Sequence, residues 1–315
     1  MAKYNHVAEN HLVKLFDEYL QECEYSSRLR PATMRGYRAV FSLFLSLMPE
    51  IITVEHLMPS LVIEFFKRLQ LRKRIAGRDI IKSGVRDSTI RTYWAKLNAF
   101  FVWLVANGHV ERNPLNGIKK PPEPKYDDSR ALKDDEVDKI IAAIVSHADS
   151  PLALRRDIAT VSLLLYCGLR RGELISLQVK DIDIFKATLT VRGETSKSKK
   201  TRTLPLHPTL LMHLKDYMTE RTRRNYQTEH LLVSTKHKTG LTRNGLRHWE
   251  KRLNRISGVS FHLHRFRHSF ATNLARKDVG LVKIQKLLGH NSSGMTERYV
   301  RSIVPEDLRD DISKL

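Results

Sequence analysis

A helix with one polar and one apolar side is predicted by the stretch His264-Arg265-Phe266-Arg267-His268-Ser269-Phe270-Ala271-Thr272. His264 and Arg267 are three residues apart, so on a helix they share a face and present an imidazole and a guanidinium together. The apolar residues would bury the opposite side. Such a pair suits a phosphate ligand, because the guanidinium fork matches two phosphate oxygens.

Two other interpretations of this helix remain open. His264 and His268 are four residues apart and could ligate a metal ion, but the Glu of the helical His-Glu-x-x-His zinc motif is missing and no cysteine or carboxylate cluster stands nearby. Both histidines could also be packing residues. The helix alone does not decide between a phosphate site, a metal site and a structural role.

The sequence that follows adds a histidine and a tyrosine. The run Ile284-Gln-Lys-Leu-Leu-Gly-His290 predicts a helix that ends at Gly289. His290 then lies at the C-terminal end of that helix, where a charged imidazole is favoured. Tyr299 follows in the context Thr-Glu-Arg-Tyr-Val. A single tyrosine is usually a packing residue, so its interpretation depends on the rest of the set.

Two basic residues earlier in the chain are candidates for the same site. Arg170 follows a glycine that ends an apolar helix, where a guanidinium can be buried and held for a phosphate; a structural salt bridge to Glu173 is the alternative. Lys197 lies at the tip of a predicted β-hairpin, from which an ammonium could reach a DNA groove and protonate a leaving oxygen. A solvated basic turn is the commoner meaning of such a run.

The charge of the chain favours a polyanionic partner. Its 315 residues include 55 basic and 34 acidic ones, a net charge of +21. Neutralising phosphates with lysine and arginine releases condensed counterions, so this excess is typical of nucleic-acid binding. A basic protein without a specific partner remains the alternative. Residues 1–128 carry a net charge of +6 and residues 129–315 a net charge of +15.

The composition, with 41% hydrophobic and 28% charged residues, is that of a soluble globular protein. The amino terminus has no apolar signal core, and no run approaches the roughly 18 apolar residues of a membrane span. We therefore expect a cytoplasmic, nucleoid-associated protein. Cys23 and Cys167 are too few and too far apart for a disulfide framework or a metal site, which predicts buried free thiols.

Two domains are predicted, because one hydrophobic core seldom exceeds about 250 to 300 residues. Helical periodicity indicates four to five helices within residues 1–118, with a basic loop at 72–86. The proline-containing stretch 119–130 predicts a semi-rigid linker. Lys119 and Lys120 at its start would suit a strap along a phosphate backbone, although a merely solvated linker fits as well.

Residues 131–315 predict a second domain that is mostly helical, with one small antiparallel sheet. Short β-like runs fall between residues 181 and 206, and the polar stretch 193–200 is the predicted hairpin tip. Lys199 and Lys200 in that tip are further candidates for DNA binding.

Taken together, these motifs resemble those of the tyrosine recombinases, the phage integrase and Xer-type family. The resemblance covers roughly residues 131–300 and rests on five motifs in the family's order: Gly-Leu-Arg170-x-x-Glu-Leu, the hairpin Lys197, His264-x-x-Arg267-His-x-Phe-Ala-Thr, Leu-Leu-Gly-His290 and Tyr299. It implies a mainly α-helical protein with an N-terminal SAM-like core-binding domain and a C-terminal catalytic domain.

The resemblance also implies a site-specific recombinase that works through a 3′-phosphotyrosyl intermediate. Tyr299 would attack a DNA phosphate and release a 5′-hydroxyl, which retains the bond energy for rejoining. Arg170 and Arg267 would bind the non-bridging oxygens and stabilise the pentacoordinate state. Integration, excision and resolution are all compatible outcomes.

Three further roles are implied by the same resemblance. Lys197 would protonate the 5′ leaving oxygen, His264 would be an acid/base partner, and His290 would donate a hydrogen bond to the phosphate. No metal or nucleotide cofactor is implied.

The implied partners are double-stranded DNA at specific sites and three further copies of the chain. The tail has apolar residues at helical spacing, Ile303, Val304, Leu308 and Ile312. We expect this terminal helix to dock on a neighbouring protomer of a DNA-bound tetramer, with packing against its own domain as the alternative. A type IB topoisomerase and a non-catalytic DNA-binding regulator are the competing functions.

Overall fold

The computed structural model describes residues 11–75, 81–122, 131–196 and 199–289. The chain divides into two compact units, Met1–Tyr126 and Asp127–Leu315. Both units are mainly helical and the second contains a small three-stranded antiparallel sheet, so the predicted fold class is confirmed. Within the described ranges, every helix is too short or too polar to cross a lipid bilayer.

The first unit packs its helices around aromatic side chains. Phe16 stacks on Phe41 with 3.8 Å between ring centroids, and Phe100 meets both rings edge-on. Each ring comes from a different helix, so the cluster fixes three helices against one another. The helices of the described part are α1 (His11–Tyr25), α2 (Pro31–Leu47), α3 (Pro59–Leu71) and α4 (Asp87–Ala106).

A short hairpin lies between α3 and α4, where the sequence indicated only a basic loop. Strand β1 (Lys73–Ile75) pairs antiparallel with β2 (Ile81–Ser83). Its base is closed by a 2.9 Å hydrogen bond from the Gly84 amide to the Arg72 carbonyl. Gly84 has a φ of +69°, and a Cβ there would lie 2.5 Å from a backbone carbonyl oxygen. The turn therefore requires glycine.

The second unit is built around one long buried helix. Helix α6 contacts α5, α8 and α10, which accounts for its largely apolar sequence. Its α-helices in the described part are α5 (Asp134–Ser146), α6 (Pro151–Cys167), α7 (Arg171–Ser176), α8 (Pro208–Arg223), α9 (Arg243–Ser257), α10 (Leu263–Arg276) and α11 (Leu281–Leu288).

The sheet of the second unit has the order β3-β4-β5 and is antiparallel throughout. The three strands are β3 (Ile182–Asp183), β4 (Thr188–Val191) and β5 (Arg202–Pro205). Burial alternates along β4, since Leu189 and Val191 are buried and Thr188 and Thr190 are only partly so. One face of the sheet therefore packs against the core, and the small antiparallel sheet predicted between residues 181 and 206 is present.

Candidate active site

Two helix C-termini form the base of the candidate site. Helix α6 ends at Gly168 with a φ of +56°, and α11 ends at Gly289 with a φ of +64°. Glycine adopts this left-handed cap without steric penalty, and both ends fall where the sequence predicted them. The last carbonyls of a helix lack intrahelical partners and carry partial negative charge. The two ends therefore offer acceptors to cationic side chains.

Arg267 of α10 joins the two helix ends. Its Nη1 donates to the Gly168 carbonyl and its Nη2 to the Leu288 carbonyl, each over 2.7 Å. The side chain is 1% exposed, so the guanidinium is held almost without access to bulk water. Burial of a charge is tolerable only where its hydrogen bonds are satisfied, and the helix ends supply the acceptors.

Arg170 lies beside Arg267 and precedes the first residue of α7. Its Nη1 donates to Glu173 Oε1 over 3.0 Å and its Nη2 to the Gly289 carbonyl over 3.3 Å. The salt bridge to Glu173 considered from the sequence is therefore present. It does not displace Arg170 from the site, because the two arginines bind the consecutive carbonyls of Leu288 and Gly289.

A third arginine, Arg202 of β5, completes the cluster and was not among the predicted site residues. It donates from Nη2 to Glu173 Oε2 over 2.8 Å and from Nε to the Leu287 carbonyl over 2.8 Å. The sequence offers one usable signal. Arg202 is two residues before Leu204, so on a strand it lies on the same face as an apolar residue.

The cluster retains positive charge. Burial by itself would raise the pKa of Glu173, but the hydrogen bonds and charge of Arg202, together with Arg170, lower it to about 2. One ionised carboxylate thus stands among the guanidiniums of Arg170, Arg202 and Arg267. The sum of these four charges is about +2, which complements a phosphodiester in a pentacoordinate state.

Cys167 lies at the end of α6 and is fully buried, and Cys23 is buried in the first unit. Burial raises the pKa of the Cys167 thiol to about 12. The prediction of buried free thiols is confirmed for both residues.

His264 occupies the first turn of α10, one turn before Arg267, and its side chain is exposed. Its ring meets that of His268 edge-on, with 4.9 Å between centroids. The two histidines are thus neighbours on one helix face, as their spacing predicted. Among the described residues, no group of three His, Cys, Asp or Glu side chains is arranged to hold a metal ion.

Three predicted catalytic residues, Lys197, His290 and Tyr299, lie outside the described residues, and their roles stay predictions. Two of their sequence neighbours belong to the cluster. The Ser196 hydroxyl donates to Glu173 Oε1 over 3.2 Å, and the Gly289 carbonyl accepts from Arg170.

The four lysines predicted to bind DNA lie in two places. Lys199 and Lys200 are exposed beside the start of β5, and Lys119 is exposed in the first unit. The Lys120 ammonium lies 5.8 Å from the centre of the Trp94 ring. Lys120 is therefore placed against α4 of its own unit, and residues 123–130 of the predicted linker lie outside the described residues.

Comparison with known proteins assigns the chain to a family. A model of the phage integrase family matches residues 130–304. The chain is 31% identical to a tyrosine recombinase of Thermosipho africanus over 96% of its own length and 99% of the relative's. It belongs to the phage integrase family of tyrosine recombinases. It is also 30% identical to the tyrosine recombinase XerC of Alcanivorax borkumensis, over 89% of this chain and 87% of that one.

Solved structures of recombinases have the same fold. The XerH recombinase in a post-cleavage complex with a palindromic difH substrate aligns with a TM-score of 0.71 at 18% identity, over 94% of this recombinase and 83% of XerH. A lambda integrase dimer bound to a COC′ core site aligns with a TM-score of 0.66 at 21% identity, over 90% and 96%. The chain is accordingly a site-specific recombinase that cleaves and rejoins DNA.

Proposed function

We propose that the recombinase cleaves DNA by attack of the Tyr299 hydroxyl on a backbone phosphate. The hydroxyl gives up its proton to the acid/base partner, for which His264 is the candidate. The new bond joins the tyrosine oxygen to phosphorus, and the bond from phosphorus to the 5′ oxygen breaks. The 3′ end remains attached to the protein and the 5′ oxygen takes up a proton. Attack by a 5′-hydroxyl of the partner strand reverses these steps and exchanges the strands.

Arg170 and Arg267 bind the non-bridging oxygens of that phosphate in this mechanism. The observation that carries the proposal is their attachment to consecutive carbonyls at the end of α11, in a cluster that keeps net positive charge. Side chains held in advance of the reaction stabilise developing charge without reorganisation, and removing one such donor typically costs about 3 to 4 kcal/mol of activation free energy.

The remaining roles are those that the family resemblance implies. Lys197 protonates the 5′ leaving oxygen, His264 acts as an acid/base partner, and His290 donates a hydrogen bond to the phosphate. The role of Lys197 can be tested against a substrate with a 5′-bridging sulfur, because sulfur leaves without protonation. Loss of Lys197 should then be rescued, whereas loss of Arg267 should not.

We further propose that residues 1–118 bind the core of the DNA site, residues 119–130 connect the domains, and residues 131–315 form the catalytic domain. The exposed face of α9 supports DNA binding by the catalytic domain, because Arg243, Arg247 and Lys251 recur there at i, i+4 and i+8. Lys119, Lys120, Lys199 and Lys200 add to the basic surface. The recombinase is expected to act in the cytoplasm, at the nucleoid, where its substrate is.

Assembly as a DNA-bound homotetramer is proposed on the evidence of a groove in the second unit. The groove has a volume of about 620 Å³, and Leu165, Phe270, Leu274 and Leu287 are among the residues that line it. The tail segment 303–312 has four apolar residues at helical spacing, and we propose that it occupies this groove on a neighbouring protomer. Lambda integrase has been solved as a tetramer on a Holliday junction.

The nucleophile is tested with Tyr299→Phe. Sequencing the DNA that copurifies with this variant supplies the site, and nicked suicide substrates of that site then trap covalent complexes. We expect none with Tyr299→Phe and a normal yield with the control Tyr226→Phe, which removes a hydroxyl bonded only to the Ser234 carbonyl in the described part. A wild-type yield from Tyr299→Phe would mean that another residue is the nucleophile.

The proposed assembly is tested by deleting residues 303–315. Binding of a single site should persist while pairing of two sites, measured by native gel or light scattering, is lost. Pairing that survives the deletion would contradict the exchange of C-terminal helices.

A further inference from the structure

The positive charge of the first unit is concentrated in one hairpin. Residues 1–128 contain 20 basic and 14 acidic residues, and six of the basic but only one of the acidic residues fall within 72–86. Outside that stretch the two kinds nearly balance, at 14 and 13. The hairpin and its flanks thus supply almost all of the net charge of this part of the chain.

Every charged residue in the described part of the hairpin and its flanks is basic. Positions 72–75 and 81–86 carry five basic residues and no acidic one. Arg72, Lys73 and Arg86 are exposed, and no carboxylate of the described residues forms an ion pair with them. Arg68, four residues before Arg72, is different, because Glu50 and Glu64 both pair with it.

The strands alone give this basic element little stability, because a two-stranded ribbon is only marginally stable by itself in water. Arg72 and Lys73 lie at the start of the hairpin and Arg86 follows its second strand. An anionic surface that contacts all three would add favourable interactions, so we expect a polyanion to stabilise the hairpin.

The exposed apolar residues at the hairpin do not indicate a protein core as its partner. Ile81 of β2 is 68% exposed and Leu71, the last residue of α3, is 77% exposed, but they are separate residues among five cations. Duplex DNA fits both the charge and the shape, because its major groove is about 12 Å wide and admits a two-stranded ribbon.

We propose that the hairpin β1–β2 binds the phosphate backbone of duplex DNA and supplies most of the electrostatic affinity of the first unit. The inference rests on the proposed function, since it requires that this recombinase bind duplex DNA through both units. It concerns binding and not chemistry, because none of the hairpin residues belongs to the candidate active site. At saturating protein, the rate of covalent complex formation should not depend on the hairpin.

The test is the salt dependence of binding by the full chain. A triple variant with Arg72→Gln, Lys73→Gln and Arg86→Gln is titrated against a short mixed-sequence duplex by fluorescence anisotropy. Each lost phosphate contact lowers the slope of log affinity against log salt by about 0.9. We expect the slope to fall by about 2 to 3, with a loss of affinity of roughly 100-fold to 500-fold at about 0.1 M salt and little loss at about 1 M.

The matched control removes three other exposed cations of the same unit, with Lys14→Gln, Arg28→Gln and Arg112→Gln. For this control variant, the slope of log affinity against log salt should change by less than about 1. A second variant that exchanges lysine and arginine at 72, 73 and 86 should bind like wild type. If the triple variant unfolds at the same temperature as wild type, its loss of DNA affinity is not caused by misfolding.

The outcomes separate the two proposals. If wild type binds but the triple variant binds equally well, or if the control loses as much affinity as the triple variant, the hairpin proposal is overturned and the proposed function stands. If wild type shows no salt-dependent binding of duplex DNA, both are overturned.

Discussion

Arg202 and Glu173 form a two-point ion pair in the catalytic unit, with Nη1 3.2 Å from Oε1 and Nη2 2.8 Å from Oε2. Their side chains are 9% and 1% exposed. Arg202 belongs to β5, Glu173 to α7, and the Nε of Arg202 also reaches the Leu287 carbonyl at the end of α11. The Arg202 guanidinium therefore links three elements of the site. These are β5, which follows Lys197, α7, which follows Arg170, and α11, which precedes His290.

Replacing Arg202 with methionine should destabilise the recombinase strongly. The change leaves the buried Glu173 carboxylate with a single guanidinium partner, and breaking a buried pair typically costs about 3 to 5 kcal/mol. Urea unfolding followed by circular dichroism measures the free energy. The control is Arg223→Met. The Arg223 side chain is 66% exposed, and its partner Glu220 keeps ion pairs with Arg155 and Arg224. An equal loss of stability in both variants would contradict this role of Arg202.

Glu173 should also give the recombinase a specific sensitivity to acid. Its pKa is lowered from 4.5 to about 2 in the folded state, so its contribution to stability is complete above about 4.5 and is lost as the pH falls towards 2. Glu173→Gln should thus be less stable than wild type by on the order of 3 kcal/mol at neutral pH. Unfolding in urea from pH 7 to pH 3 should show this gap narrowing, and a constant gap would argue against the ionised carboxylate.

Gly168→Ala should disrupt the end of α6. A Cβ there would lie 2.4 Å from the Phe270 ring, and the φ of +56° is unfavourable for any other residue. The combined strain and overpacking should cost about 2 to 4 kcal/mol. Gly172→Ala is the matched control, because nothing lies within 4 Å of its Cβ position and its helical backbone favours alanine by up to about 1 kcal/mol. Thermal unfolding of both variants checks the prediction.

Two arginines of α9 should respond in opposite ways to the same substitution. Arg247 is exposed, so Arg247→Gln should leave unfolding unchanged and weaken duplex binding by roughly 8-fold at about 0.1 M salt. Arg252 pairs with the buried Asp157, so Arg252→Gln should cost about 1 to 3 kcal/mol of stability. Anisotropy and urea unfolding on both variants distinguish the effects. Equal loss of binding in both variants would contradict the assignment of the DNA contacts to the exposed face of α9.

Local sequence signals account for most of the helical fold. The positions of Gly168 and Gly289 marked helix ends because glycine adopts the left-handed cap without steric penalty. The hairpin β1–β2 was missed because strands of three residues are too short to show a period of two, and because Gly84 is needed there through a contact with Gln70 that no local pattern reveals.

The spacing and type of the residues were enough to identify candidate site residues from the sequence. Arg170 and Arg267 are brought to neighbouring carbonyls, and their role in binding phosphate remains a prediction. The role of Arg202 depends on which strand faces which helix, and this is a property of tertiary packing. Lys197, His290 and Tyr299 remain predictions from the sequence.

The acceptors that hold Arg170, Arg202 and Arg267 at the helix ends are main-chain oxygens of Gly168, Leu287, Leu288 and Gly289. A main-chain oxygen is present whatever the side chain, so neutral drift along α6 and α11 leaves these contacts intact as long as the helices keep their length and their terminal glycines. The geometry of the arginine cluster is in this sense encoded by where two helices stop. An insertion or deletion of a single residue in α11 would damage it more than most substitutions within that helix.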